Sequence, residues 1–370
     1  MGIIKQSEDA NNPAAKAKKP FKVDVPAPQE IKAYLDQYVV GQNHTKKVLS
    51  VAVHNHYSRI NLLAKGADPM PDVELDKSNV LLVGPSGTGK TLLVQTIARM
   101  LKVPCAISDA TTLTEAGYVG SDIETILLKV YQAAKGDVGA TEMGIVMLDE
   151  ICKKAKRDEG VSITRDVSGE GVQAALLKIL EGCESDVPLA GGRKHPSGET
   201  VRINTRSMLF VMSGAFIGLD KIVEARMRGK GVIGFGTNEL AAGRGMKNIL
   251  PEDLIAFGLI PELVGRVPVV SRLEALSEKD LLHILTEPKN CIVKQYEKMA
   301  KLSGASLAFN DDALSEIARI AFSRETGARG LRSIVESLLL DFMFDIHKGS
   351  SITITKQDVV QMFDNKALVA

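Results

Sequence analysis

The run Gly84-Pro85-Ser86-Gly87-Thr88-Gly89-Lys90-Thr91 has the spacing G-x-x-x-x-G-K-[ST], which suits the phosphates of a nucleoside triphosphate. Glycines let the backbone turn tightly and aim N–H groups at phosphate oxygens. A helix that begins there adds its positive N-terminal end. Lys90 is placed to reach the β and γ phosphates, and Thr91 to ligate Mg²⁺. A second run, Gly144-Ile145-Val146-Met147-Leu148-Asp149-Glu150, is an apolar strand ending in two adjacent carboxylates. Asp149 suits Mg²⁺, directly or through water, and Glu150 suits the base that orients and deprotonates an attacking water. A phosphotransferase needs the metal ligand but not the adjacent base, so the pair points to hydrolysis. A chance Gly-rich turn or a solvated acidic strand end explains either run alone. Their joint occurrence, with a strand before the first and a helix after it, argues against both.

These groups must sit at the C-terminal edge of a parallel sheet, where ligands bind in open α/β folds. Apolar runs at 80–83, 103–107, 145–148, 208–212 and 267–270 read as short buried strands, with helical patterns at 92–101, 123–134 and 172–181 between them. Strands alternating with helices indicate a parallel sheet flanked by helices on both faces. A helical pattern also begins at Pro28 and resumes after a break at Gly41. From Ser277 onward the pattern is mostly helical, at 277–285, 291–302, 311–321 and 331–346, with Ser277 and Asp311 as expected N-caps. One β-branched run, 351–355, reads as a strand. The expected organisation is a disordered arm over 1–24, a large α/β domain over 25–273 and a smaller, mostly helical domain over 277–370. Residues 227–247 are Gly-rich with little periodicity; they read as a long exposed loop of the kind that carries function.

Composition narrows the classes. The 370 residues allow two domains, and 45% hydrophobic with 25% charged residues is the balance of a soluble globular chain. A formal net charge of +1 supplies no bulk field toward nucleic acid or an acidic membrane. No apolar run approaches the roughly 18 residues of a membrane span. Residues 1–20 are polar and Lys-rich, without the apolar core of a secretory signal. The four cysteines are scattered and form neither a disulfide framework nor a zinc spacing, so a cytoplasmic, reducing setting (bacterial-type, or an organelle matrix) is expected. His54-Asn55-His56 invites a nuclease reading. Positions i and i+2 do not share a helix face, however, and a helix surface is the simpler expectation.

Further runs carry a resemblance. They include Tyr38-Val39-Val40-Gly41-Gln42, Asp109 to Gly120, Arg165 to Gln173, Gly191-Gly192-Arg193-Lys194-His195-Pro196, Pro251-Glu252-Asp253-Leu254 and Gly327-Ala328-Arg329-Gly330-Leu331-Arg332. From about Pro28 to Phe363 the chain resembles the ClpX family of AAA+ unfoldases, P-loop NTPases that feed the ClpP peptidase. The resemblance implies a ring hexamer that uses ATP and Mg²⁺ to pull tagged or unfolded proteins apart, with or without a ClpP-type peptidase, and that has no nucleic-acid or membrane partner. It implies nucleotide contacts from Val39, Val40, Pro85 through Thr91, and Leu92. Tyr118 and Val119 would form the pore loop that grips the substrate, with a second pore loop within 156–166. Arg193-Lys194-His195 would attract the carboxylate ends of tags at the pore entrance. Ile233-Gly234-Phe235 would dock the peptidase with two apolar anchors. Arg266 would be the finger that reaches the neighbouring subunit's ATP, Arg329 the small-domain sensor and Ser213 a polar sensor at a strand end.

Some positions depart from the family. Cys152 stands where the family usually has Asp, and Ser121 where an acidic residue usually follows the pore run. No cluster of four cysteines precedes the ATPase module, so the usual N-terminal zinc-binding domain is expected to be missing, by truncation or as a short natural form. A nucleic-acid motor or clamp loader of the AAA+ class shares the nucleotide residues but has no use for Tyr118-Val119 or Ile233-Gly234-Phe235. A non-catalytic scaffold has no need of Lys90, Asp149, Glu150 and Arg266 together.

Overall fold

The computed structural model describes residues 23–65, 70–113, 123–156, 169–189, 199–229 and 248–367. The described residues begin with two helices, α1 (Pro28–Asp36) and α2 (Asn43–Lys65). Then come β1 (Val80–Val83), α3 (Lys90–Leu101), β2 (Cys105–Asp109), α4 (Ile123–Ala133), α5 (Val138–Glu142) and β3 (Ile145–Asp149). A 3-10 turn, Ile151–Lys154, leads toward α6 (Glu170–Glu181). A hairpin of β4 (Glu184–Pro188) and β5 (Thr200–Asn204) precedes β6 (Leu209–Gly214), α7 (Leu219–Gly229), α8 (Pro251–Phe257), α9 (Pro261–Gly265) and β7 (Val269–Arg272). The rest comprises α10 (Glu278–Thr286), α11 (Ile292–Leu302), β8 (Ser306–Phe309), α12 (Asp311–Ser323), α13 (Ala328–Phe344), β9 (Ser351–Ile354) and α14 (Lys356–Ala367).

Among the described residues the main sheet has five parallel strands in the order β2-β3-β6-β1-β7. Alternate side chains leave a strand on opposite faces, and this splits the core in two. Leu81, Val83, Val146, Leu148, Phe210 and Met212 pack with α4 and α6 on one face. Val80, Leu82, Ile145, Met147, Leu209 and Val211 pack with α2 and α3 on the other. Because both faces are covered, the strands read as unbroken apolar runs. A third cluster forms after Leu276. There α13 buries Leu331, Ile334, Val335, Leu338 and Leu339, the i, i+3, i+4, i+7, i+8 stripe of an amphipathic helix. Among the described residues, no helix is long and apolar enough to cross a membrane.

Several local expectations shift. The strands expected at 103–107, 208–212 and 267–270 begin one or two residues later, because Val103, Met208 and Val267 are buried in the connections before the hydrogen-bonded ladder. Asp311 is the first helical residue of α12, and Asn310 holds the cap position. The expected strand after residue 350 pairs in parallel with β8, an element that sequence reading left out.

His54 and His56 diverge as their spacing predicts, but the surface reading fails for His56. His54 Nδ1 lies 2.9 Å from the Pro26 carbonyl, whereas His56 Nε2 lies 3.1 Å from that of Ser207. His56 is 3% exposed. Burial, with the charges of Arg59 and Lys77, pushes its pKa down from 6.5 to about 3. The unfolded chain therefore takes up a proton near pH 6.5 that the folded chain refuses until about 3. Stability is lost as pH falls through that window, by about 2 kcal/mol at pH 5. Thermal melting should show a steeper loss between pH 7 and 5 for the parent than for His56→Gln. Equal slopes would place the ionisation elsewhere.

Candidate active site

The phosphate-loop sequence lies between β1 and α3, so the strand, turn and helix are all in place. The Gly84 N–H donates to the Gly214 carbonyl at 3.1 Å and ties the loop to β6. Lys90 Nζ donates to the carbonyls of Gly84 (2.6 Å) and Pro85 (2.8 Å). Burial holds its ammonium below the ordinary lysine value, while Asp149 and Glu150 pull the other way.

Asp149 ends β3, and the pairing Leu148↔Met212 sets it beside Ser213 of β6. Its Oδ1 accepts from the Ser213 hydroxyl and, at 3.0 Å, from the Glu150 N–H. Its Oδ2 lies 3.5 Å from Thr91 Oγ1. Glu150 has φ 60°, the left-handed region, which costs a non-glycine residue about 1–2 kcal/mol. The N–H bond to Asp149 opposes that cost, and the kink stops the strand where the Glu150 carboxylate meets the cavity.

The smaller domain reaches this loop directly. The Ala328 N–H at the start of α13 donates to the Gly87 carbonyl (3.3 Å), and Arg329 Nη1 to Ser86 Oγ (3.1 Å). A methyl at Gly87 would lie 3.0 Å from the Thr326 carbonyl, and one at Gly327 would lie 3.0 Å from that of Ser86. Both positions have positive φ as well, so this close approach needs glycine on each side. The result is a cavity of about 400 Å³ walled by Lys90, Asp149 and Glu150 on one side and Ile292, Arg329 and Arg332 on the other. Both α3 and α13 begin at its wall, so two helix N-termini favour an anion there.

Sequence reading gave Ile292 and Arg332 no role. Arg332 was legible as the i+3 neighbour of Arg329, whereas Ile292 carries no such signal. Leu92 also lines this cavity. Val39 and Val40 line a neighbouring cavity of about 540 Å³ between the first helices and α10. A methyl at Gly89 would lie 3.8 Å from Val39 Cγ1, so Val39 reaches the phosphate loop. Cys152 lines a further cavity of about 440 Å³ with Ser86 and Glu150, and its sulfur crowds Gly214.

Arg266 is not in the phosphate cavity. It caps α9, its carbonyl accepts from Asn79 Nδ2 (2.8 Å), and its Nη2 lies 2.8 Å from Glu181 Oε1. Asn79 immediately precedes β1 and Arg266 precedes β7, which pairs with β1 in parallel through Val80↔Val269. Arg266 is thus at the N-terminal edge of the sheet and the phosphate loop at the C-terminal edge. The steps from Asn79 to Gly84 span roughly 16 Å, farther than an arginine side chain reaches. Tyr118, Val119, Arg193, Lys194, His195, Ile233, Gly234 and Phe235 lie outside the described residues.

A phosphate cradle, an acidic strand end beside it and a helical domain closing over both are the parts of a AAA-type nucleotide hydrolase. The family model of the AAA domain (Cdc48 subfamily) matches residues 75–270, and that of the C-terminal, D2-small domain of ClpB protein matches residues 276–360. The ATP-dependent Clp protease ATP-binding subunit ClpX of Treponema denticola is 55% identical over 327 residues, which are 87% of this chain and 77% of that protein. The chain belongs to the ClpX family. Its AAA domain binds and hydrolyses ATP.

Proposed function

We propose that the chain is one subunit of a ring hexamer that binds ATP with Mg²⁺, grips tagged or unfolded proteins in an axial pore and passes them to a ClpP-type peptidase. The observation that carries this reading is the placement of Arg266 at the sheet edge opposite its own phosphate loop. An arginine there can serve hydrolysis in a neighbour's site, and repeated head-to-tail contacts form a ring when their rotation closes. The similarity to a Clp protease ATP-binding subunit supports the peptidase partner.

Thr91 and Asp149 offer hard oxygen donors 3.5 Å apart, a set that suits Mg²⁺. Bound there, the ion would neutralise charge on the β and γ phosphate oxygens. Lys90 exchanges its bonds to the Gly84 and Pro85 carbonyls for phosphate oxygens. Ser213 holds the Asp149 carboxylate in orientation. Glu150 takes the proton of the attacking water. Arg329 reports the nucleotide to the smaller domain.

Two loop variants test the protein-handling part of the reading. Tyr118→Ala should spare ATP hydrolysis but cripple unfolding, because the grip is lost and the phosphate contacts are not. Phe235→Ala should spare ATPase and unfolding but abolish degradation, because only docking loses its anchor. Three assays suffice: ATPase, unfolding of a tagged fluorescent protein, and its degradation with a ClpP-type peptidase. A parallel fall in all three for both variants would reduce the loops to local packing and remove the case for unfolding.

A further inference from the structure

Gln173 is a polar side chain with 0% exposure, placed in the first half of α6. Both polar atoms of its amide are hydrogen-bonded. Nε2 donates to the Lys154 carbonyl at 2.7 Å and to that of Gly258 at 3.3 Å. Oε1 accepts from the Ile260 N–H at 2.9 Å, which fixes the amide's orientation. The Lys156 N–H also donates to the Gly258 carbonyl at 2.8 Å. Gly258 has φ +113°, and a methyl there would lie 2.4 Å from the Lys156 carbonyl. Two distant chain segments are therefore locked against each other, with Gln173 between them.

Each segment leads to a different catalytic group. Glu150 is the N-cap of the 3-10 turn that ends at Lys154. Ile260 is the N-cap of α9, and Arg266 is its C-cap. Both connections are single short helices. Arg266 is held at its other end by Asn79 and by Glu181, the last residue of α6 itself.

We infer that Gln173 is the positioning residue that sets Glu150, for the chain's own ATP, in register with Arg266, for the neighbour's. The inference rests on the trans role of Arg266 proposed above. One buried amide then makes each subunit's two contributions to hydrolysis interdependent: disturbing it misplaces both.

The test uses the full-length protein in mixed assemblies. Gln173→Met keeps side-chain length and removes all three hydrogen bonds. Its turnover should fall at least about tenfold, toward the ~10²-fold that an ångström of misplacement costs, with nucleotide affinity within about threefold of the parent. The control mixes Arg266→Ala with Glu150→Gln subunits, and turnover returns where an intact Glu150 meets an intact Arg266. Gln173→Met is then mixed with Arg266→Ala, which tests its finger, and separately with Glu150→Gln, which tests its own site. Both mixtures should stay at least about tenfold below the control. Recovery to the control level in either mixture overturns the coupling, since the amide would then serve one side only. A silent control shows that Arg266 does not act in trans, and the coupling falls with that reading. If Gln173→Met does not assemble, Gln173→Leu replaces it, which also removes the three hydrogen bonds and buries no charge. Failure of both to assemble assigns Gln173 to folding alone and overturns the proposal.

Discussion

Arg266→Ala should lower ATP turnover by roughly 10³-fold or more, the scale on which a finger in trans acts in P-loop enzymes, with nucleotide affinity little changed. Every group that lines the phosphate cavity remains in place, because Arg266 lies beyond it. Loss of folding does not confound the result. The Arg266–Glu181 pair is about half exposed at both ends, and exposed pairs contribute only ~0–1 kcal/mol. Nucleotide titration and steady-state turnover on the same preparation check this expectation. Adding Glu150→Gln subunits should restore part of the activity at mixed interfaces. Normal hydrolysis by Arg266→Ala alone would end the trans assignment.

Glu150→Gln should slow turnover by about 10²–10⁴-fold, because the amide cannot accept the water's proton, while ATP binding and assembly persist. The substitution preserves shape. It also preserves the backbone problem, since Glu and Gln meet the same left-handed strain at this position and the bond to the Asp149 carboxylate is donated by the residue's own backbone N–H. The difference between parent and variant therefore isolates the carboxylate's proton chemistry. Single-turnover hydrolysis with bound nucleotide is the measurement. A rate within a few-fold of the parent would mean that another group activates the water.

The central strands were legible because both of their faces are buried, which leaves a continuous apolar run flanked by turns. The hairpin of β4 and β5 was not. Only Val187 and Ile203 are fully buried in it, too few for a period to show. β8 was missed for a related reason: Leu307 is its one buried residue, and its partner strand begins at Ser351. In the site, Lys90, Thr91, Asp149 and Glu150 announce themselves by type and spacing, because phosphate chemistry constrains neighbours along the chain. Gln173 does not. Its partners Lys154, Gly258 and Ile260 are distant in sequence and contribute main-chain atoms, which any residue type supplies. His56 stayed hidden likewise, since a buried histidine and a surface one look alike until the sheet packs over α2.

The start of α13 lies against the loop that cradles phosphate, Ala328 on Gly87 and Arg329 on Ser86. The helix runs 17 residues from that contact to Phe344, a rod of roughly 25 Å. A rod that turned about that contact, carrying its domain with it, would be geared. A swing of ~10° about the glycine pair would carry the far end roughly 4 Å, while the pivot itself would move hardly at all. At that far end Leu340 and Phe344 stand 68% and 88% exposed, one helical turn apart. Anything seated on those two side chains would then move by several ångströms, so a bond-length change at the nucleotide would arrive there as a stroke the size of a residue.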